Sequence, residues 1–418
     1  AATGHAAVFT PADGDALQTA FDQAKDNGED DTITLTAGTL YTRGTGAEFT
    51  YDSAEGKLLT LVGNGATVHA PTVSGFAVIA LRGGTIDVSH LDVLMEAGAS
   101  TGLSIAGADT VGTVDDIDVS GTTTDVSARG IMLEGTTTAT NLVSSATVSN
   151  GITLNGGDVT LEGADVSGAT DRQLDVAGGT VTITDVTTHD PESSLVAGLQ
   201  TNDQSAVATA RRLRISGSSP AVSALFGSTL TLTDSLIQLT GDFAIGLSAS
   251  DLGNPAPLGS TLNADRVTIA GNGAPGQTGA AAGGGTLTEQ DTMRINVRSS
   301  ILTGVETTFS CGEGNAESAN SISVVNTAVP ASATDQNDCA DPPSDPGIDY
   351  GKGVTTLAPV FADAAAGDYR QRYDSPLVDL GPAVDPFVGA DLAGGLRFVN
   401  DRLDLGAYEY QRTAPEVT

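Results

Sequence analysis

Asp158–Asp190 carries one figure twice, DVTLEGADVSG and then GGTVTITDVTTHD. In each copy apolar and polar residues alternate, a two-residue polar step interrupts, and the alternation resumes in shifted phase. The inward positions are Val159, Leu161, Ala164 and Val166 in the first copy. In the second they are Val181, Ile183 and Val186, with Thr188 closing the pattern. Period two is the signal of a strand, and a step that shifts the phase without breaking it marks a corner. A chain that repeats this unit predicts a solenoid, in which each coil meets only its neighbours.

The polar step recurs along the chain. It falls at Ser89–His90, Asp115–Asp116, Ser144–Ser145, Glu162–Gly163 and Thr184–Asp185. It continues at Arg211–Arg212, Thr233–Asp234, Asp265–Arg266, Arg298–Ser299 and Val325–Asn326. Coils in a stack lie about 4.8 Å apart, so the steps should form a column up one edge with the polar pair turned outward. Before the coils, Asp13–Asn27 places Leu17, Ala20, Phe21 and Ala24 on one helical face, with Asp13 or Asp15 as cap and Gly28 beyond its end. An amphipathic helix there should close the open apolar end of the solenoid.

These patterns divide the chain into three parts: a cap and first strands over 1–57, coils over 58–329, and an irregular segment over 330–418. The expected fold is all-β, a right-handed parallel β-helix of about ten to twelve coils with the N-terminal helix as its cap. Irregular stretches at Asp251–Ser260, Gly271–Thr286 and Ser310–Asn320 are the expected functional loops.

Composition fits this and bounds the partners. The 418 residues hold 52 glycines and no tryptophan, which favours strands and turns. A net charge of −34 leaves no basic face for nucleic acid, and it implies a solvated, self-repelling surface. Adaptation to high salt fits less well, because the excess is mainly aspartate. Binding of an anionic polysaccharide would need bridging cations on this count. No apolar run is long enough to insert into a membrane. Cys311 and Cys339 bracket one long excursion and suggest a disulfide made in an oxidising compartment; two separate thiols are the alternative.

The tail carries the most specific motif. Asp368–Tyr369, Ser375–Pro376, Asp379, Gly381, Arg397 and Asp404–Gln411 spell DY, SPxxDxG and DxGAYEYQ. This resembles the terminal segment of secreted bacterial parallel β-helix proteins of the choice-of-anchor Q type. The helix followed by DTITLTAGTLYT is similar to the opening of the same family. The resemblance implies a tail packed on the last coils, with Tyr408 and Tyr410 buried against them. It also implies a module of a longer extracellular protein, attached to the cell surface through a downstream segment missing after RTAPEVT. It implies no catalytic activity.

Three clusters invite chemistry. Arg211, Arg212, Arg266 and Arg298 recur on successive coils, as a lyase that eliminates across a uronate would need. The same residues alternate in sign with Asp234 and Asp265, which reads as a ladder of partly exposed ion pairs worth about 0–1 kcal/mol each. Asp115, Asp116 and Asp118 could serve as paired carboxylates or contact calcium, although an exposed acidic corner explains them as well. His189–Asp190 with Glu192 reads as a surface histidine rather than a base. The sequence therefore points to a non-catalytic surface module: a rigid spacer, an adhesin or an assembly subunit. It would meet glycans, other surface proteins or its own copies, and it needs no cofactor, with calcium the one exception considered. The alternative is a carbohydrate-active enzyme on an acidic polysaccharide, a lyase before a hydrolase.

Overall fold

The computed structural model describes residues 6–44, 46–71, 75–193, 195–250, 259–283, 292–312, 320–332, 334–339, 347–383, 389–399 and 401–411. The protein is an all-β parallel solenoid of about 12 turns. Its contacts cluster into two units, 1–200 with 205–207, and 201–204 with 208–418.

In the first unit the opening figure becomes two adjacent rungs. Val159 pairs with Val181, Leu161 with Ile183, Ala164 with Val186 and Val166 with Thr188, all buried. The inward row extends toward the N-terminus from Ile183 through Leu161, Ala139, Val114, Val88 and Leu61. The corner is a residue in the left-handed region. It is His90, Asp116, Gly163 and Asp185 in this unit, and Arg212, Asp234, Arg266, Ser299 and Asn326 in the second. Asn, Asp and Gly tolerate that conformation best, and the turn it makes produces the phase shift. The step expected at Ser144–Ser145 is displaced: the corner is Thr140–Asn141, where Asn141 has φ 55, and Ser144 points inward and is buried.

The helix spans Gly14–Ala24, shorter than the stretch expected from sequence. Asp13 caps it by accepting from the Ala16 backbone N–H at 2.9 Å. Leu17 and Phe21 are fully buried, and Phe21 meets Tyr51 at 6.4 Å between ring centres. The helix packs on Leu40–Thr42 and Phe49–Asp52, so it does lie against the first strands.

In the second unit the rungs are Thr229–Leu239, Thr261–Gly271, Arg294–Arg298, Ser321–Val325 and Gly347–Tyr350. Pairing thus runs past Val329: Thr334–Asn337 adds to Thr307–Cys311, and Gly347–Tyr350 to Ser321–Val325. Prolines between them had hidden these strands. Thr278–Ala282, inside the expected loop Gly271–Thr286, is also a strand. The rest of that loop from 284, and 251–258 of the other, lie outside the described residues. Cys311 and Cys339 form a disulfide.

From Phe361 the chain turns back along the outside of the second unit. Leu377 and Leu405 pack on Ile301 and Ala328, while Leu392, Ala407 and Tyr408 pack on Leu236. Tyr408 is buried as expected; Tyr410 is only partly so. The tail motif holds this segment in shape. Asp404 accepts from the Asp379 and Tyr410 backbone N–H groups, and Asp391 from those of Ala393, Gly395 and Glu409. Gly406 lies so close to the coil that a Cβ there would stand 2.6 Å from the Thr268 hydroxyl oxygen.

Candidate functional site

Alternation leaves two outward rows on the strands that lead into the second unit's corner. One row runs Thr231, Asn263, Asn296, Ser323 and Asp349. The other runs Thr233, Asp265, Arg298 and Val325. With Thr209 and Arg211 these rows, Asp349 excepted, line an open groove of about 540 Å³. Asn296 donates to Asn263 at 2.8 Å, and Asn263 to Thr231 at 3.5 Å, so the amides form a ladder along the floor.

The four arginines singled out from sequence do not act together. Arg266 donates through Nε to Asp234 at 2.8 Å and through Nη1 to Asp265 at 2.5 Å. Arg211 Nε lies 3.2 Å from Asp234, and its Nη2 donates to the Ala390 carbonyl at 2.7 Å. Arg212 occupies the left-handed corner itself. Arg298 is exposed on the groove, with no ion pair or hydrogen bond from its side chain among the described residues. Arg294, two positions before Asn296 on the same strand, is likewise exposed and unpaired among them.

The expected ladder of partly exposed pairs is corrected here. Asp234 is 0% exposed and shared by Arg211, Arg266 and Arg397. Tail residues close over this corner, and Arg397 comes from them. Its Nη2 also donates to the Gly406 carbonyl at 2.6 Å, and burial holds its guanidinium pKa below the usual arginine range. Sequence could not reveal this, because the arginine lies far along the chain from the aspartate.

Asp265 is the groove's titratable group. Burial raises its carboxyl above the usual range, against the pull of Arg266, Arg298 and a hydrogen bond with Ser299. A second perturbed carboxyl, which the sequence pattern did not mark, lies in the first unit. Asp175 accepts from Asn150 Nδ2 at 2.9 Å with Arg172 Nε at 3.8 Å, and burial pushes it up to about 6.

The acidic cluster does not converge. Asp115 accepts from Thr140 at 2.5 Å and Asn141 at 3.0 Å, which lowers its pKa. Asp116 faces His90 at 3.7 Å. Asp118 lies past the corner, its pKa raised by burial and then by Asp92 and Asp116. No three metal-ligating groups meet among the described residues, so these aspartates do not fit a calcium cage. His189 bridges Asp165 at 2.7 Å and Asp190 at 2.8 Å. Burial opposes its charge, but these two partners outweigh it and raise the pKa. Glu192 is not part of that bridge.

No protein-family model matches the chain, and no curated protein matches it. Among solved structures it is similar to an alginate lyase from Paenibacillus sp. str. FPU-7, with 14% identity over 66% of this chain and 98% of that one, at a TM-score of 0.46. Pectate lyase Pel9A shows 10% identity over 98% of both chains, also at 0.46. The catalytic unit of a GH87 alpha-1,3-glucanase from Streptomyces thermodiastaticus strain HF3-3 shows 13% identity over 85% of this chain and 69% of that one, at 0.36. At such identities and scores no site or substrate passes from those proteins to this one.

Proposed function

We propose that the chain is a carbohydrate-engaging solenoid whose groove binds an acidic polysaccharide. The observation that carries this is Arg294 and Arg298, exposed and unpaired among the described residues on either side of Asn296, in a chain of net charge −34. Two exposed guanidiniums on one strand, Arg298 on the groove beside Asp265 and Arg294 four residues before it, suit carboxylates spaced along an extended glycan. They remove the need for bridging cations that overall charge suggested.

Asp265 favours a second reading, turnover by β-elimination. Burial raises the Asp265 carboxyl above the usual range, which makes its carboxylate a stronger base for a proton of a glycan in the groove. Arg298, on the rung next to Asp265, would neutralise the uronate carboxylate while Asp265 takes the proton. Hydrolysis by two carboxylates fits poorly. Asp349 lies three rungs from Asp265, about 14 Å, beyond the roughly 9.5 Å such pairs span.

The test is calorimetric titration with oligogalacturonate and oligoalginate, alongside ultraviolet monitoring for unsaturated products. Binding that weakens about ten-fold in Arg298→Ala supports the groove. Failure to bind either glycan overturns it. Product absorbance lost in Asp265→Asn establishes turnover, and binding without product leaves a non-catalytic adhesin or spacer. An extracellular location, attachment to the cell surface and kinship with the choice-of-anchor Q proteins belong to the same proposal. The disulfide and the tail motif support them.

A further inference from the structure

We propose that a second cavity, between the outer face of the second unit's coils and its tail, binds one neutral pyranose sugar. The cavity measures about 540 Å³ and is distinct from the groove. It exists because the tail crosses the coil there with small residues. The short helical turn Ala364–Ala366 is capped by Asp363 and ended by Gly367 in the left-handed region, and no bulky side chain from it fills the space.

The walls supply three chemical features. Phe361 and Tyr369 stand edge to face, with ring centres 5.2 Å apart, and offer an apolar surface to the C–H face of a sugar ring. The Gln238 amide and the Thr303 hydroxyl on the same lining make no side-chain hydrogen bond among the described residues, and neither does the Tyr369 hydroxyl. These groups can both donate and accept, which is what adjacent ring hydroxyls require. No charged residue lines the cavity. A carboxylate or an amine would enter uncompensated, so the ligand is uncharged. A concave site of this size with an aromatic wall and a few free polar groups has the usual form of a small-ligand pocket.

The proposal does not depend on the groove, whose arginines select the opposite charge class. The test uses the full chain and saturation-transfer NMR with methyl α-glucopyranoside, methyl β-galactopyranoside and methyl α-mannopyranoside. At least one should bind, with Kd roughly millimolar. Gln238→Ala should weaken it about five-fold through one lost hydrogen bond. Ala365→Phe, at an exposed position on the turn, should fill the cavity and abolish binding. Arg298→Ala should leave it unchanged. Silence from all three sugars overturns the proposal, as does binding that survives Ala365→Phe. Loss in Arg298→Ala would move the sugar to the groove and also overturn it.

Discussion

Arg397 Nε lies 3.4 Å from Asp234 Oδ1, and both side chains are essentially without solvent contact. The tail is thus fastened to the coils by a buried charge as well as by the leucines around Ile301 and Leu236. Arg211 and Arg266 share the same carboxylate, so Asp234 compensates three guanidiniums. Removing Asp234 leaves three guanidiniums without their shared carboxylate, and an uncompensated buried charge is costly. Asp234→Asn should therefore lose about 3–5 kcal/mol, whereas Arg397→Met, which leaves Asp234 two partners, should lose less. Urea unfolding reads both. An Asp234→Asn midpoint equal to the wild type would remove the cluster from the account of tail docking.

Glu409 gives the tail a pH dependence of definite sign. Burial, and next the Asp404 charge, push its carboxyl to about 8 from an ordinary 4.5. Between those values the folded chain holds a proton that the unfolded chain has released. Stability from this group therefore falls as pH rises from about 4.5 through about 8, and is flat above. Glu409→Gln cannot ionise and should remove that slope. Relative to the wild type it should gain stability at about pH 9 and gain little at about pH 5. Equal wild-type and variant slopes in urea midpoint against pH would show that Glu409 does not titrate in this window.

Much of the fold was legible because the corner writes itself into the sequence. Asp185, Asp234 and Asn326 are residue types that tolerate the left-handed region, and their apolar neighbours keep the phase. The reading slipped at TTTATNLVSS, where threonines and serines serve inside and outside alike, so alternation could not locate Asn141. The site was legible only in part. The pairing of Arg211 and Arg266 with Asp234 was read as a partly exposed ladder, because nothing local shows that tail residues cover Asp234. Nothing in the sequence pattern marks Asn263 and Asn296, since their hydrogen bond joins different coils.

The disulfide should act locally. Thr334–Asn337 is exposed at all four positions and pairs with Thr307–Cys311, so little apolar burial holds it. Cys311 and Cys339 are 28 residues apart, and closing a loop of that length constrains the unfolded segment by about 3–4 kcal/mol. Reduction, or Cys311→Ser with Cys339→Ser, should speed amide exchange in Thr334–Asn337 by about a hundred-fold or more. Exchange in Thr229–Leu239 should not change. Uniform acceleration of both strands would mean that the bond stabilises the whole unit instead.

A glycine row marks where the interior leaves no room for a side chain. Gly102, Gly130 and Gly151 precede the apolar pairs of TGLSIA, RGIMLE and NGITLN, and each faces the interior. A Cβ on Gly151 would stand 2.3 Å from Val166 Cγ1 and 2.7 Å from the Gln173 carbonyl oxygen. Side chain and backbone both block it, so Gly151→Ala should cost about 1–3 kcal/mol by overpacking. Gly156 makes the useful control. Its φ is 73 but nothing lies within 4 Å, so Gly156→Ala pays only for the left-handed backbone, about 1–2 kcal/mol. The two costs differ in kind, and a second substitution separates them. Val166→Ala removes the methyl that Gly151→Ala meets, so the double variant should be more stable than the two single losses add up to. It should leave the loss in Gly156→Ala untouched. Strict additivity of Gly151→Ala and Val166→Ala would mean that packing against Val166 is not what requires glycine there.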